Sequence, residues 1–323
     1  MEAVHVNLIG GGRHAQACIW PALRLAGAVV DSVTARSEAS ARALAAAAGA
    51  PRAWADVGAM LAHEDAAKVV AVLPGSAADA VVCRCLAAGK EVFTEKPCGM
   101  SAAAAAAVQD AAARAGRGVQ VGFMKRYAPV YTELAALIAG GELGDLHSLS
   151  ARFAVDASAF CATDRDYLYY VGIHMIDLVQ WLCGPLQLLC AAKDARGSGC
   201  TYLVTLRAAQ GALVALELQN RSAWTREREE LTLTFTDGFA ATRDTGHLAV
   251  HRAAAAPAPW QTLAEEDRVF SASENPASGT ARDLYLRGFA GEMAAFLARP
   301  VPVTDDNLRL TLLCEEILAA LAR

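Results

Sequence analysis

Apolar residues in the first third of the chain fall in short runs, with turn residues between them. Residues 4–9 read as a strand, 29–34 as a second, 69–73 as a third, 91–94 as a fourth and 119–122 as a fifth. The third run is apolar almost without interruption, as in a parallel sheet buried on both faces. Helical stretches separate the strands: 15–25, 38–48 with Ser37 as N-cap, 57–62, and 77–88 closed by Gly89. The alternation of strand and helix predicts a doubly wound parallel sheet.

Beyond Phe123 the rhythm changes. A helix is predicted over 129–139, stopped by Gly140 and Gly141, and another from Gly172 to about Gly184. Longer strands follow a period of two at 148–155, 201–208, 212–220, 230–236 and 239–243. Leu231, Leu233 and Phe235 alternate with Thr232, Thr234 and Thr236, which predicts an antiparallel sheet covered on one side. Asp237-Gly238 signals a hairpin. Residues 252–283, rich in Ala, Pro, Ser, Glu and Asp, read as a long irregular loop. Leu286, Phe289, Met293 and Phe296 then share one face of a helix, and a last helix starts near Asn307. The predicted fold is α/β: an N-terminal Rossmann doubly wound domain over 1–122 and a C-terminal α+β domain over 123–323. The second domain holds a large, mainly antiparallel open sheet, and the C-terminal helices pack back on the first domain.

Composition narrows the partners. Hydrophobic residues make up 54% and charged residues 20%, with a net charge of −5, so nothing favours nucleic acid. No uninterrupted apolar run reaches the roughly 18 residues of a membrane helix, and no basic, apolar leader opens the chain. Nine cysteines, an odd number without paired spacing, predict reduced thiols in a cytoplasmic protein and no metal site.

Candidate chemistry begins where the first strand ends, at Gly10-Gly11-Gly12-Arg13-His14-Ala15. Gly10 suits a tight turn and Gly12 a close approach of backbone to a pyrophosphate. Ala15 is small enough for the next helix to pack on the sheet while its N–H groups face the phosphates. Arg13 and His14 fall within this fingerprint, and Pro74 and Glu95 end later strands on the same edge. All are expected to line a dinucleotide.

Three further segments carry a resemblance: Glu95-Lys96-Pro97 after the fourth strand, the joining segment from Gly122 to Pro129, and Gly172-Ile173-His174-Met175-Ile176-Asp177-Leu178. In order and spacing, over nearly the whole chain, they resemble the glucose–fructose oxidoreductase, inositol dehydrogenase and rhizopine catabolism family of NAD(P)-dependent oxidoreductases. The resemblance implies hydride transfer between nicotinamide and a carbon bearing a hydroxyl, a carbonyl or, in some members, an imine. Lys96 matches the lysine that contacts the nicotinamide ribose and the reacting oxygen. His174 matches the proton donor or acceptor. Lys125 and Arg126 read either as substrate contacts or as the surface of an interdomain helix. Asp177, three residues from His174, orients it, caps backbone or touches substrate. Family members often pair their second-domain sheets, which implies a homodimer or homotetramer.

Two departures matter. Many sugar and cyclitol members carry an aspartate four residues before the histidine, where this chain has Tyr170. The phenol serves the substrate, shapes an aromatic pocket or fills core, and the change points from polyols toward a less polar ketone or an imine. The position of the acid that NAD enzymes present to the ribose falls on Ala35, followed by Arg36 and Ser37. An arginine with an adjacent hydroxyl suits a 2′-phosphate, so NADP(H) is expected over NAD(H). The expectation is an NADP(H)-dependent oxidoreductase of a small keto or hydroxy compound: a sugar, a cyclitol or a natural-product intermediate. An imine reductase and a non-catalytic nucleotide sensor of the same fold are the alternatives.

Overall fold

A computed structural model of the protein describes residues 3–253, 267–272, 281–298 and 300–323. The chain divides into two units, Met1–Met124 with Gly288–Leu312, and Lys125–Arg287 with Leu313–Arg323.

In the first unit, strands β1 (Val4–Ile9), β2 (Ala28–Thr34), β3 (Arg52–Trp54), β4 (Lys68–Ala71), β5 (Glu91–Thr94) and β6 (Val119–Val121) form one parallel sheet. Its order is β3-β2-β1-β4-β5-β6, the doubly wound arrangement, with its switch point between β1 and β4. The connecting helices are α1 (Trp20–Leu25), α2 (Glu38–Ala48), α3 (Val57–His63), α4 (Gly75–Ala87) and α5 (Ala102–Ala115). Ser37, Asp56 and Ser101 start α2, α3 and α5 by accepting the N–H of the residue three positions on. One face of the sheet packs Val69, Ala71 and Val92 against Val82, Leu86, Val108 and Ala112 of α4 and α5.

The second unit opens on a short 3₁₀ turn, Met124–Tyr127, and α6 (Pro129–Gly140). After β7 (Leu146–Ala154) come α7 (Asp164–Tyr167), a π-helical turn (Leu168–Gly172) and α8 (Ile173–Cys183). Strands β8 (Leu186–Asp194), β9 (Cys200–Ala208), β10 (Leu213–Asn220), β11 (Arg228–Phe235), β12 (Gly238–Arg243), β13 (His247–Arg252) and β14 (Asp267–Ser271) complete the sheet. Its order is β14-β13-β12-β11-β7-β10-β9-β8, with only the β7–β10 pair parallel among the described strands. Asp237-Gly238 makes the β11–β12 hairpin, with Phe235 opposite Gly238.

The described chain closes on helices α9 (Arg282–Leu286), α10 (Phe289–Ala298) and the longer α11 (Asp306–Leu321). Within the first unit α10 lies on the sheet face opposite α4 and α5. Phe296 meets Phe93 edge-on at 5.9 Å, and the Lys68 ammonium sits 4.8 Å above the Phe296 ring.

Several elements differ from the sequence expectation. Strand β3 is three residues long and only part-buried, too short to show a period. Helix α5, ten of its fourteen residues alanine, was not predicted. Strands β8 and β14 are exposed along much of their length, which blurs the alternation; β13 alternates but follows β12 closely. The loop expected over 252–283 contains β14, while 254–266 and 273–280 lie outside the described residues. Leu286 does not share a helix with Phe289, because Gly288, at φ 95°, breaks the chain between α9 and α10. The stretch 15–25 is helical but begins as a π-helical turn over Ala15–Ile19. Pro21 lacks the N–H that an unbroken α-helix would send back to Ala17, which is the local cause.

Candidate active site

The fingerprint glycines divide their work in the way their surroundings dictate. Gly10 has φ 84°, and a Cβ there would lie 2.2 Å from the Val72 carbonyl oxygen, so no other residue fits the turn beside β4. A Cβ on Gly12 would meet nothing within 4 Å, which leaves backbone facing open space. Arg13 and His14 are exposed, and Ala15 is fully buried under its helix. Open backbone, small residues and a helix start beyond the first strand fit the pyrophosphate of a dinucleotide. Pro74 is exposed and caps α4 at the adjacent strand end.

At the end of β2, Arg36 is exposed next to Ala35. The Ser37 oxygen accepts the Ser40 N–H at 3.2 Å and is occupied as the cap of α2. Asp31 points elsewhere, 2.7 Å from the His5 ring nitrogen. No acid of β2 therefore takes the ribose-facing position.

Glu95 is 7% exposed; Lys96, on its cis bond to Pro97, is half-buried. Sequence reasoning named these residues but missed their connections. Glu95 Oε1 is 3.0 Å from His14 Nε2, and Glu95 Oε2 accepts the Lys96 backbone N–H at 3.2 Å. The side chain of Cys18, and then the Glu95 carboxylate, hold the proton on His14 and raise its pKa from 6.5 to about 9, so the ring is cationic at neutral pH. Only Cys18, one turn beyond His14, hinted at this in the sequence.

In the second unit, residues 167–179 form a buried run with two half-open positions, Tyr170 and His174, one turn apart. The π-helical turn carries Tyr170 and α8 carries His174. These two side chains share the accessible face of an otherwise enclosed helix. Asp177 does not share it. Its carboxylate, fully buried, takes a bidentate pair from Arg126, Nε to Oδ2 at 2.9 Å and Nη2 to Oδ1 at 2.5 Å. Lys125 is 2% exposed, bonded to Glu229, with Glu227 at 3.6 Å and the Phe153 ring beneath it. Glu229 also accepts the Tyr131 hydroxyl at 2.7 Å. Lys125 and Arg126, read as substrate contacts or the surface of an interdomain helix, and Asp177, read as orienting His174, capping backbone or touching substrate, thus each carry an ion pair inside the fold. Arg126 and Asp177 pair with each other and Lys125 with Glu229, because a buried charge needs a partner within the fold.

Two family models cover most of the chain. The oxidoreductase family with an NAD-binding Rossmann fold matches residues 4–123, and the C-terminal domain of the same family matches residues 131–241. The chain belongs to the GFO/IDH/MocA oxidoreductase family. Among its relatives, inositol 2-dehydrogenase 2 of Saccharopolyspora erythraea is 32% identical over 168 residues, 48% of this chain and 49% of that protein. The rhizopine catabolism protein MocA of Rhizobium meliloti is 28% identical over 191 residues, 57% of this chain and 58% of that one. The matches thus span about half the length of these relatives. In fold, the chain is similar to levoglucosan dehydrogenase, solved with NADH and levoglucosan, at TM-score 0.83 and 17% identity over 99% of this chain and 98% of that one. A dehydrogenase of Chromobacterium violaceum gives 0.84 at 18% identity, over 100% and 96%. Both GFO/IDH/MocA domains, the parallel Rossmann sheet and the mainly antiparallel second sheet, are those the sequence predicted.

Proposed function

We propose that this member of the family is a nicotinamide-dependent oxidoreductase acting on a hydroxyl- or keto-bearing carbon of a sugar or cyclitol. The observation that carries the reading is the exposure pattern around His174. In a run of buried side chains, an imidazole and a phenol alone stay half-open, and an imidazole is the group that exchanges protons near neutral pH. Bound dinucleotide supplies or accepts the hydride. Lys96 orients the reacting oxygen and offsets charge that develops on it. His174 holds or removes the proton of that oxygen, and Tyr170 shapes the substrate side or donates to it. The relatives named inositol 2-dehydrogenase favour a cyclitol over the less polar ketone or imine that Tyr170 suggested.

The cofactor preference proposed is NADP(H). Ala35 presents no carboxylate, and Arg36 is exposed beside it. Ser37, engaged as a cap, contributes less, so the preference rests on Arg36. NADPH is expected to bind at least about tenfold more tightly than NADH, roughly 1.4 kcal/mol. Fluorescence titration of both reads it. Equal affinities, or tighter NADH, would remove the proposal, and Arg36→Ala is expected to close the gap by weakening NADPH.

The decisive experiment follows dinucleotide reduction or oxidation with inositol isomers, aldoses, levoglucosan, keto sugars, cyclic ketones and cyclic imines. Turnover of a sugar or cyclitol is expected. Turnover of imines alone would assign an imine reductase. Tight dinucleotide binding without turnover of any compound would assign a nucleotide sensor.

A further inference from the structure

Glu95 is a nearly buried carboxylate where three loop ends of the parallel sheet converge. It follows β5. His14, which touches one of its oxygens, follows β1. Strand β4 lies between β1 and β5 in the sheet, so the contact passes over the end of β4, across the switch point. The third loop end is Gly122, after β6. A Cβ there would come within 3.0 Å of the Glu95 carboxylate, so the glycine leaves the room that the carboxylate fills. The remaining Glu95 oxygen holds the backbone N–H of Lys96. Phe289 of α10 braces the His14 ring edge-on, with centroids 5.7 Å apart. The two ends of this chain of contacts differ: His14 belongs to the loop that fits the pyrophosphate, and Lys96 carries the ammonium assigned above to the reacting oxygen.

We propose that His14 and Glu95 are positioning residues that hold the Lys96 peptide in register with the dinucleotide loop, so that seating the pyrophosphate and presenting the lysine become one event. The proposal rests on the role assigned to Lys96 above. It gives His14 a task beyond contact with the cofactor, since the histidine acts on the lysine through the carboxylate. A carboxylate held at both oxygens has one orientation. Released from His14 it rotates, and the peptide it anchors loses its fixed place. Misplacing a reacting group by about 1 Å costs up to roughly a hundredfold in rate without loss of binding.

The test has an arm that needs no substrate. Amide hydrogen exchange over residues 93–98 is measured on the full-length protein, free and with NAD⁺ or NADP⁺, for the parent, His14→Ala, His14→Gln and Glu95→Gln. Exchange at the Lys96 amide is expected to speed up by about tenfold in His14→Ala and Glu95→Gln while the central strands keep their protection. His14→Gln, which retains a donor toward Glu95, is expected to recover most of the protection. With any compound found to turn over, His14→Ala and Glu95→Gln are each expected to lower kcat, read at saturating dinucleotide, at least about tenfold. The double variant is expected to be no worse than the worse single one, because both changes break one linkage. Unchanged exchange at Lys96 overturns the proposal, with or without a substrate. So does a loss confined to dinucleotide affinity, which would make His14 a phosphate contact only, and so do additive effects on kcat. If exchange responds as expected and no compound turns over, the linkage stands and the catalytic reading fails instead.

Discussion

Lys96 and His174 each occupy a half-open position between buried neighbours, so each can be altered with little cost to packing. That makes their substitution a clean probe of chemistry. Lys96→Ala and His174→Ala are each expected to lower kcat by at least about a hundredfold, the range of a positioned acid–base group, while NADPH still binds. Tyr170→Phe separates the phenol from the ring. A fall in kcat with constant cofactor affinity makes the hydroxyl a proton donor, and activity within a few-fold makes Tyr170 a wall of the pocket. His174→Ala nearly as active as the parent, beside an inactive Tyr170→Phe, would transfer the proton to Tyr170. His14 supports a prediction of a different kind. Its pKa is raised to about 9 by the Cys18 side chain and the Glu95 carboxylate. A folded-state pKa above the unfolded value means that its contribution to stability is complete below about pH 6.5 and disappears as pH rises through about 9. The ring is 47% exposed, so solvent screens the pair and the contribution is small. Thermal melts of the parent and His14→Gln are expected to differ near neutral pH and to converge above about pH 10. A gap that persists there would show that the neutral ring supplies it.

At the level of elements, the turn from β1 into its helix and the start of α8 bear the most constraint. Gly10→Ala puts a methyl group on the Val72 carbonyl in a left-handed backbone, and both the clash and the strain act on the same turn. A large loss of soluble, dinucleotide-binding protein is expected, whereas Gly12→Ala, with open space above it, is expected to fold with a normal melting temperature and bind dinucleotide weakly. Equal stability of the two variants would contradict this division. The Arg126–Asp177 pair ties the turn before α6 to α8, and Arg126→Ala leaves the Asp177 carboxylate buried without this partner. A loss of about 3 kcal/mol in denaturant unfolding is expected, as for other broken buried pairs. These elements also show what sequence could and could not reveal. The glycine fingerprint, the Glu95-Lys96-Pro97 turn and the His174 helix were legible because glycine placement and short motifs are local. The roles of Lys125, Arg126 and Asp177 were not, since their partners lie up to 104 positions away, as with Lys125 and Glu229. Helix α5 was not among the predicted helices, although Ala105, Val108, Ala111 and Ala112 line its one buried face.

For the whole molecule, the eight-stranded sheet poses the question of what lies on its open face. Registered neighbours in a sheet point the same way, so the strand pairings trace that face across it. Leu213, Ala215 and Glu217 of β10 lie beside Arg207, Thr205 and Leu203 of β9, and beside Ser148, Ser150 and Arg152 of β7. Thr234 and Thr232 of β11 continue the row to Phe239 and Ala241 of β12. Small and hydroxyl-bearing residues hold the centre. Leu203, Leu213 and Phe239 are 41–56% exposed around them, and Arg152 reaches Glu217 and Glu230. A broad sheet surface with exposed leucine and phenylalanine among short side chains, its Arg152 paired to Glu217 and Glu230, is suited to pack on a second sheet of its own kind. A homodimer or homotetramer is therefore expected, and sedimentation that shows only the 33.8 kDa species at micromolar concentration would refute it. Ala215→Arg, which places a long cation among the small residues of the face, is expected to yield monomers with an unchanged melting profile of the parallel-sheet unit. An assembly that survives this change would have to form through another surface.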